Sequence, residues 1–132
     1  MKVVLITGAS SGFGRLLVPA FLARGWTVIA TMRDAARSEA LFRDEARAYP
    51  ERLAILSLDV TSEADREAAA AFLAERFGGR LDCLINNAGF GQFGVLEEIS
   101  EARIRAQMEV NFFGVALLTR ALLPALREAR GR

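Results

Sequence analysis

Apolar residues are distributed along this chain in two alternating patterns. Short continuous runs, such as Val3-Val4-Leu5-Ile6, are separated by longer stretches whose apolar positions recur at helical spacing. Residues 2–6 read as a first strand, followed by a glycine-rich turn. A helix is expected over about 13–24, with Leu16, Leu17, Ala20 and Phe21 on one side and Gly25 as its stop. Residues 26–31, rich in β-branched types, read as a second strand. A polar helix over about 35–49 and a third strand over 53–57 follow. Ser62-Glu63-Ala64-Asp65 resembles a capping box that opens a helix running to Phe77, and Gly78-Gly79 breaks it. Residues 81–86 read as a fourth strand. A loop carrying Gly89, Gly91 and Gly94 leads to a last helix over about 101–130, with Ser100 as its N-cap.

The pattern is β-α-β-α-β-α-β-α. Strands that are apolar throughout, rather than at alternate positions, belong to a parallel sheet covered on both faces. Right-handed crossovers then predict a doubly wound α/β fold of strand order 3-2-1-4. No domain boundary or repeat interrupts residues 1–132, which read as one domain. Pro19 and Pro124 fall inside expected helices, and each should kink its helix.

Composition narrows the function. The chain has 132 residues, 52% hydrophobic and 25% charged, with a net charge of +1. That balance suits a folded domain and offers no electrostatic footprint for nucleic acid or an acidic membrane surface. Histidine is absent and Cys83 is the one cysteine, so neither a Cys/His metal site nor an internal disulfide is expected. No uninterrupted apolar run approaches the ~18 residues of a membrane span, and the N-terminus lacks the apolar stretch of a secretory signal. The expectation is a cytoplasmic protein with no membrane and no nucleic-acid partner.

The most informative segment is Thr7-Gly8-Ala9-Ser10-Ser11-Gly12-Phe13-Gly14, between the first strand and the first helix. A dinucleotide's diphosphate requires backbone N–H groups aimed at it, the positive end of a helix, and no side chain in the way. Gly8, Gly12 and Gly14 supply a turn, a close approach and tight strand–helix packing. Ser10 and Ser11 can donate to phosphate or ribose oxygens. The spacing is G-x-x-x-G-x-G, which departs from the generic G-x-G-x-x-G.

Four features together resemble the short-chain dehydrogenase/reductase family: this glycine segment, Asp59-Val60 after the third strand, Asn86-Asn87-Ala88-Gly89 after the fourth, and Val110-Asn111-Phe112-Phe113-Gly114 in the last helix. The resemblance spans essentially the whole chain. Residues Val28 to Asp34 are similar to the branch containing hydroxysteroid and retinol dehydrogenases. The resemblance implies a Rossmann-like sheet and hydride transfer between a nicotinamide dinucleotide and a carbonyl or alcohol carbon. Gly8, Ser10, Ser11, Gly12, Phe13 and Gly14 would then line the diphosphate. Asp59 would meet the adenine amino group with Val60 against the ring. Asn87 would brace the strands, and Ala88 and Gly89 would leave room for the nicotinamide ribose. Asn111 would be the catalytic residue, holding a water in a proton relay.

Cofactor choice rests on the end of the second strand. A carboxylate there selects NAD, and an arginine accepts the 2′-phosphate of NADP. Met32 stands where the family's acid would be, and Arg33 follows as in NADP-preferring members. NADP is therefore favoured and NAD remains open. Asp34 lies beside Arg33 and can offset it, and both can also be read as solvated loop charges.

Asn111 also stands out by pattern. Ile104, Met108, Asn111, Val115, Leu118 and Leu122 share one helical stripe, of which Asn111 is the one polar member. A buried amide must be bonded, so its alternatives are packing specificity or a bond to a neighbouring carbonyl.

The family's tyrosine, with a lysine four residues on, has no counterpart here. The one tyrosine, Tyr49, has Leu53 four residues beyond it, and no Tyr or Lys follows Leu58. A tyrosine needs a nearby cation to work at neutral pH. The chain therefore reads as a Rossmann domain truncated after the fourth strand and its helix, lacking the catalytic half, able to bind dinucleotide and inactive alone. A non-catalytic dinucleotide-binding or oligomerisation module is the alternative. The fourth strand becomes an unpaired sheet edge, and the last helix is apolar on more than one side. Both point to a homo-oligomer, most simply a dimer, through that helix or that edge.

Overall fold

The computed structural model describes residues 1–132, with side chains for all but residues 37–39. Its centre is a four-stranded parallel sheet of order β3-β2-β1-β4, formed by β1 (Val3–Ile6), β2 (Thr27–Met32), β3 (Leu53–Ser57) and β4 (Cys83–Ile85). This is the order that right-handed crossovers require. Every residue of β1 and β2 is buried, whereas β3 and β4 at the edges are half-exposed.

The continuous apolar runs are explained by two separate cores. Val3 and Leu5 point to one face, where they meet Ala69 and Leu73 of α4 (Glu63–Phe77) and Leu118, Leu122 and Leu126 of α6 (Val115–Ala129). Val4 and Ile6 point to the other face, where they meet Val18 and Leu22 of α1 (Gly12–Ala23) and Phe42. Alternate residues of one short strand thus serve different interiors. Ser62 caps α4 by accepting from the Asp65 N–H at 3.2 Å, and the Asp65 carboxylate reaches back to the Asp59 N–H at 2.8 Å. Ser100 caps α5 (Glu101–Met108) in the same way. Pro19 lies inside α1 and Pro124 inside α6.

Four expectations change. The polar helix over 35–49 is broken into α2 (Ala35–Ser38), a 3₁₀ turn (Glu39–Phe42) and α3 (Arg43–Ala48). The break lets Phe42 turn fully into the second core. Nη1 of Arg15 donates to the Leu41 carbonyl at 2.7 Å, and its guanidinium sits 5.2 Å from the Phe42 ring centre. The last helix is also not uniform: a π-helical turn, Glu109–Gly114, separates α5 from α6. Widening the turn shifts the helical phase, so the stripe read from α-spacing is not one buried face. Ile104 and Met108 are 41% and 44% exposed, while Leu118 and Leu122 are fully buried.

The third correction concerns the edge. After α6, Arg130 takes a left-handed conformation and the chain doubles back. Arg132 donates to the Asp82 carbonyl at 3.1 Å and accepts from the Leu84 N–H at 2.9 Å, so the outer side of β4 is partly paired. The fourth concerns hydropathy. The helical stretch Glu101–Ala129 is, by length and composition, long and apolar enough to cross a membrane, although no single apolar run within it is. Leu118, Leu122, Ala125 and Leu126 of that stretch pack into the first core.

Candidate functional site

The strand order reverses between β1 and β4, and ligands of such sheets bind outside the carboxyl ends of strands at that point. A cleft of about 1020 Å³ lies there. Behind its lining residues Gly8, Asn87 and Ala88 lies the buried Thr7. The Thr7 hydroxyl accepts from the Ala88 N–H at 2.9 Å and the Asn87 N–H at 3.0 Å. Asn87 returns the bond: its side-chain amide donates to the carbonyls of Thr7 at 3.0 Å and Gly8 at 3.2 Å. The ends of β1 and β4 are thereby tied together beneath the cleft.

The glycines divide their work. Gly8 has φ +66°, and a Cβ there would stand 2.9 Å from Ala88 Cα. Gly14 is buried where α1 crosses β1, and a Cβ there would stand 2.5 Å from the Asn87 amide nitrogen. Gly12, at φ +54°, meets nothing within 4 Å, so its open side faces space rather than protein. Ser11 is the N-cap of α1 and makes no side-chain cap bond. Ser10, Ser11 and Phe13 are exposed and line the cleft.

Arg33, Asp59 and Val60 form the far wall, with Leu58 and Val110 adding apolar surface. Asp59 Oδ1 accepts both the Thr61 hydroxyl, at 2.7 Å, and the Thr61 N–H, at 2.9 Å. These two bonds hold the Asp59 carboxyl below its ordinary range against the opposing effect of burial, with a lesser contribution from the positive charge of Arg33. Asp59 Oδ2 is left with no donor among the described residues. The Ser57 hydroxyl donates to the Arg33 carbonyl at 2.9 Å and fixes the end of β2.

Eleven of the sequence-derived residues line this one cleft: Gly8, Ser10, Ser11, Gly12, Phe13, Arg33, Asp59, Val60, Asn87, Ala88 and Gly89. Gly14 stands behind it as packing. Asn111 does not line it and is exposed, contrary to the buried stripe expected of it. Its side-chain amide is nevertheless bonded at both ends: Oδ1 accepts from the Phe90 N–H at 3.0 Å, and Nδ2 donates to the Phe90 carbonyl at 2.7 Å. One turn earlier, the Gln107 side chain accepts from the Gln92 N–H. Sequence reasoning missed Thr61, Gln107 and the cleft-lining Phe90, Glu109 and Val110. Val110 adjoins Asn111 within a segment already singled out. Nothing local announces the Gln107 bond, which spans fifteen positions in the chain.

A parallel sheet with a glycine-walled crevice at its order reversal defines the general class of doubly wound α/β proteins. The family model for short chain dehydrogenases matches residues 2–132, and the chain belongs to that family. It is 38% identical over 130 residues to a 3-ketodihydrosphingosine reductase of Bacteroides thetaiotaomicron, covering 98% of this chain and 44% of that protein. It is 36% identical to retinol dehydrogenase 8 of Bos taurus, covering 98% of this chain and 41% of the relative. A short-chain dehydrogenase from Streptomyces avermitilis superposes with a TM-score of 0.86 at 47% identity, covering 97% of this chain and 46% of that one. An NADPH-bound carbonyl reductase from chicken fatty liver does so at 0.86 and 35%, covering 97% and 53%. The chain thus spans about half the length of the relatives it matches.

Proposed function

We propose that this chain is the dinucleotide-binding portion of an oxidoreductase that interconverts a carbonyl and an alcohol, with NADP(H) as its preferred cofactor. The observation that carries the reading is the cleft itself: Gly12 stands open at its mouth while Arg33 and the ionised Asp59 share its far wall. The chicken carbonyl reductase among the similar structures is NADPH-bound, which supports the same class of ligand.

The residues fit such a ligand. Amides around Gly12 and the open start of α1 receive the diphosphate. Asp59 Oδ2 accepts from the adenine amino group, and Val60 packs on the ring. Arg33, a fixed cation with no carboxylate at Met32, takes the 2′-phosphate. Ala88 and Gly89, held by Thr7 and Asn87, border the nicotinamide ribose. When bound, the nicotinamide supplies or accepts the hydride. Asn111 sets the backbone of Phe90 beside it. The proton-donating tyrosine and its lysine have no counterpart in these 132 residues, so the chain alone binds without turnover. Phe112 and Phe113, 56% and 45% exposed and edge-to-face at 5.2 Å, support self-association through the helix that carries them.

Fluorescence titration tests the reading. NADPH should bind more tightly than NADH, and Arg33→Ala should remove most of that difference, about tenfold, while leaving NADH affinity unchanged. Equal affinities in the unsubstituted chain refute the cofactor preference, and no binding of either refutes the function.

A further inference from the structure

Val60 is the apolar wall residue held from two independent directions. Nη1 of Arg66, a buried arginine, donates to the Val60 carbonyl at 2.8 Å. The Val60 side chain faces Gly114, the last residue of the π-helical turn. A Cβ on Gly114 would stand 2.6 Å from Val60 Cγ2, 3.1 Å from Val60 Cβ and 3.2 Å from the Glu109 carbonyl oxygen. Gly114 itself has φ −57° and ψ −45°, ordinary helical values that any residue adopts. Its conformation therefore does not call for glycine; the space does. Glycine is a poor residue for a helix interior, and here it leaves a notch the width of one valine.

We infer that Gly114 is a positioning residue for the adenine end of the cleft. Its empty side seats Val60, and together with the Arg66 bond to the Val60 carbonyl it sets how far Val60 projects towards the ligand. The inference rests on the dinucleotide reading above, in which Val60 carries the adenine ring. A methyl at position 114 meets a short, β-branched side chain rather than the far end of a flexible one. Val60 must then move with its backbone, or the π-helical turn must move away. Both displacements change the adenine shelf. The turn at Gly8 and the loop at Ala88 are held instead by Thr7 and Asn87, and Asn111 ties the π-helical turn to both backbone groups of Phe90, so Val60 is the side that yields.

The test compares a ligand that has an adenine with one that lacks it. NADPH and reduced nicotinamide mononucleotide are titrated against the unsubstituted chain, Gly114→Ala, and Gly114→Ala combined with Val60→Ala. The expected result for Gly114→Ala is a loss of about tenfold in NADPH affinity, with mononucleotide affinity unchanged within about twofold. The double variant regains thermal stability, because truncating Val60 returns the room, but it does not regain NADPH affinity. A merely structural role would weaken both ligands in proportion. That outcome, or undiminished NADPH binding by Gly114→Ala, overturns the inference. So does a double variant that fails to fold alongside an unfolded Gly114→Ala, since the contact is then not the cause. An unsubstituted chain that binds neither ligand sinks the dinucleotide reading first, and this inference with it.

Discussion

Three buried threonines, Thr27 and Thr31 within β2 and Thr7 just beyond β1, should respond differently to the same change. Replacing threonine by valine keeps the branched shape and strand propensity and removes one hydroxyl. The Thr7 hydroxyl accepts from the N–H groups of Asn87 and Ala88. The Asn87 N–H keeps a second acceptor, the Ile85 carbonyl at 3.0 Å. In Thr7→Val only the Ala88 N–H loses its one protein partner outright. An orphaned donor costs about 1–3 kcal/mol and a weakened bond somewhat less, so a loss of about 2 kcal/mol is expected. The Thr31 hydroxyl donates once, to the Ile6 carbonyl at 3.1 Å, and Thr31→Val should cost about 1 kcal/mol. The Thr27 hydroxyl is buried with no partner among the described residues. Thr27→Val relieves an unsatisfied group and should stabilise the fold by about 1 kcal/mol. Urea unfolding reads all three. With a slope near 2 kcal/mol per molar, the midpoints move by about −1, −0.5 and +0.5 M respectively. Thr27→Val falling below the unsubstituted protein, or Thr7→Val matching it, would refute the hydrogen-bond assignment on which the cleft floor rests.

The glycine segment separates binding from stability. Gly14→Ala drives a methyl into the Gly8 carbonyl and the Asn87 amide and should cost more than about 2 kcal/mol, read as a fall in melting temperature. Gly12→Ala meets no atom and pays only for its left-handed backbone, about 1 kcal/mol, yet should abolish NADPH fluorescence changes. Thr61→Val removes the largest influence lowering the Asp59 pKa, so the Asp59 carboxyl should titrate at higher pH by carbon NMR. A carboxyl whose folded pKa is depressed stabilises the fold above its unfolded pKa, and that stabilisation disappears as pH falls through the folded value. The deficit of Thr61→Val is therefore full at neutral pH and vanishes in acid; a deficit independent of pH would count against it. Asn111→Ala should speed hydrogen exchange at the Phe90 amide while leaving core amides protected, because its bonds tie down an exposed loop.

What could be read from the sequence was whatever depends on local pattern. Runs such as Val28-Ile29-Ala30 demand cover on both faces, and that alone implies a parallel sheet. Ser62 and Ser100 announce their helices because a cap needs one oxygen at one position. The glycine segment and the cluster of Arg33, Asp59 and Asn87 converge because a doubly wound sheet brings strand ends together. The π-helical turn escaped notice because the same side chains serve α- and π-hydrogen bonding, and only packing on Val60 and Phe90 distinguishes them. Asn111 was expected inside on α-helical phase and lies outside for that reason. The division of residues 35–48 follows from Phe42, whose destination is set by a core assembled from distant strands. The pairing of Arg132 with β4 depends on how α6 ends, a left-handed Arg130 that no rule for arginine anticipates.

The Thr7 hydroxyl finds its partners eighty and eighty-one positions further along the chain. During synthesis the glycine turn emerges from the ribosome early and then has nothing to close against. At about 5–20 residues per second, roughly 4–16 s pass before Asn87 and Ala88 exist. For that interval the first crossover is a nascent, unlatched loop, and the residues that shape it have not yet been translated.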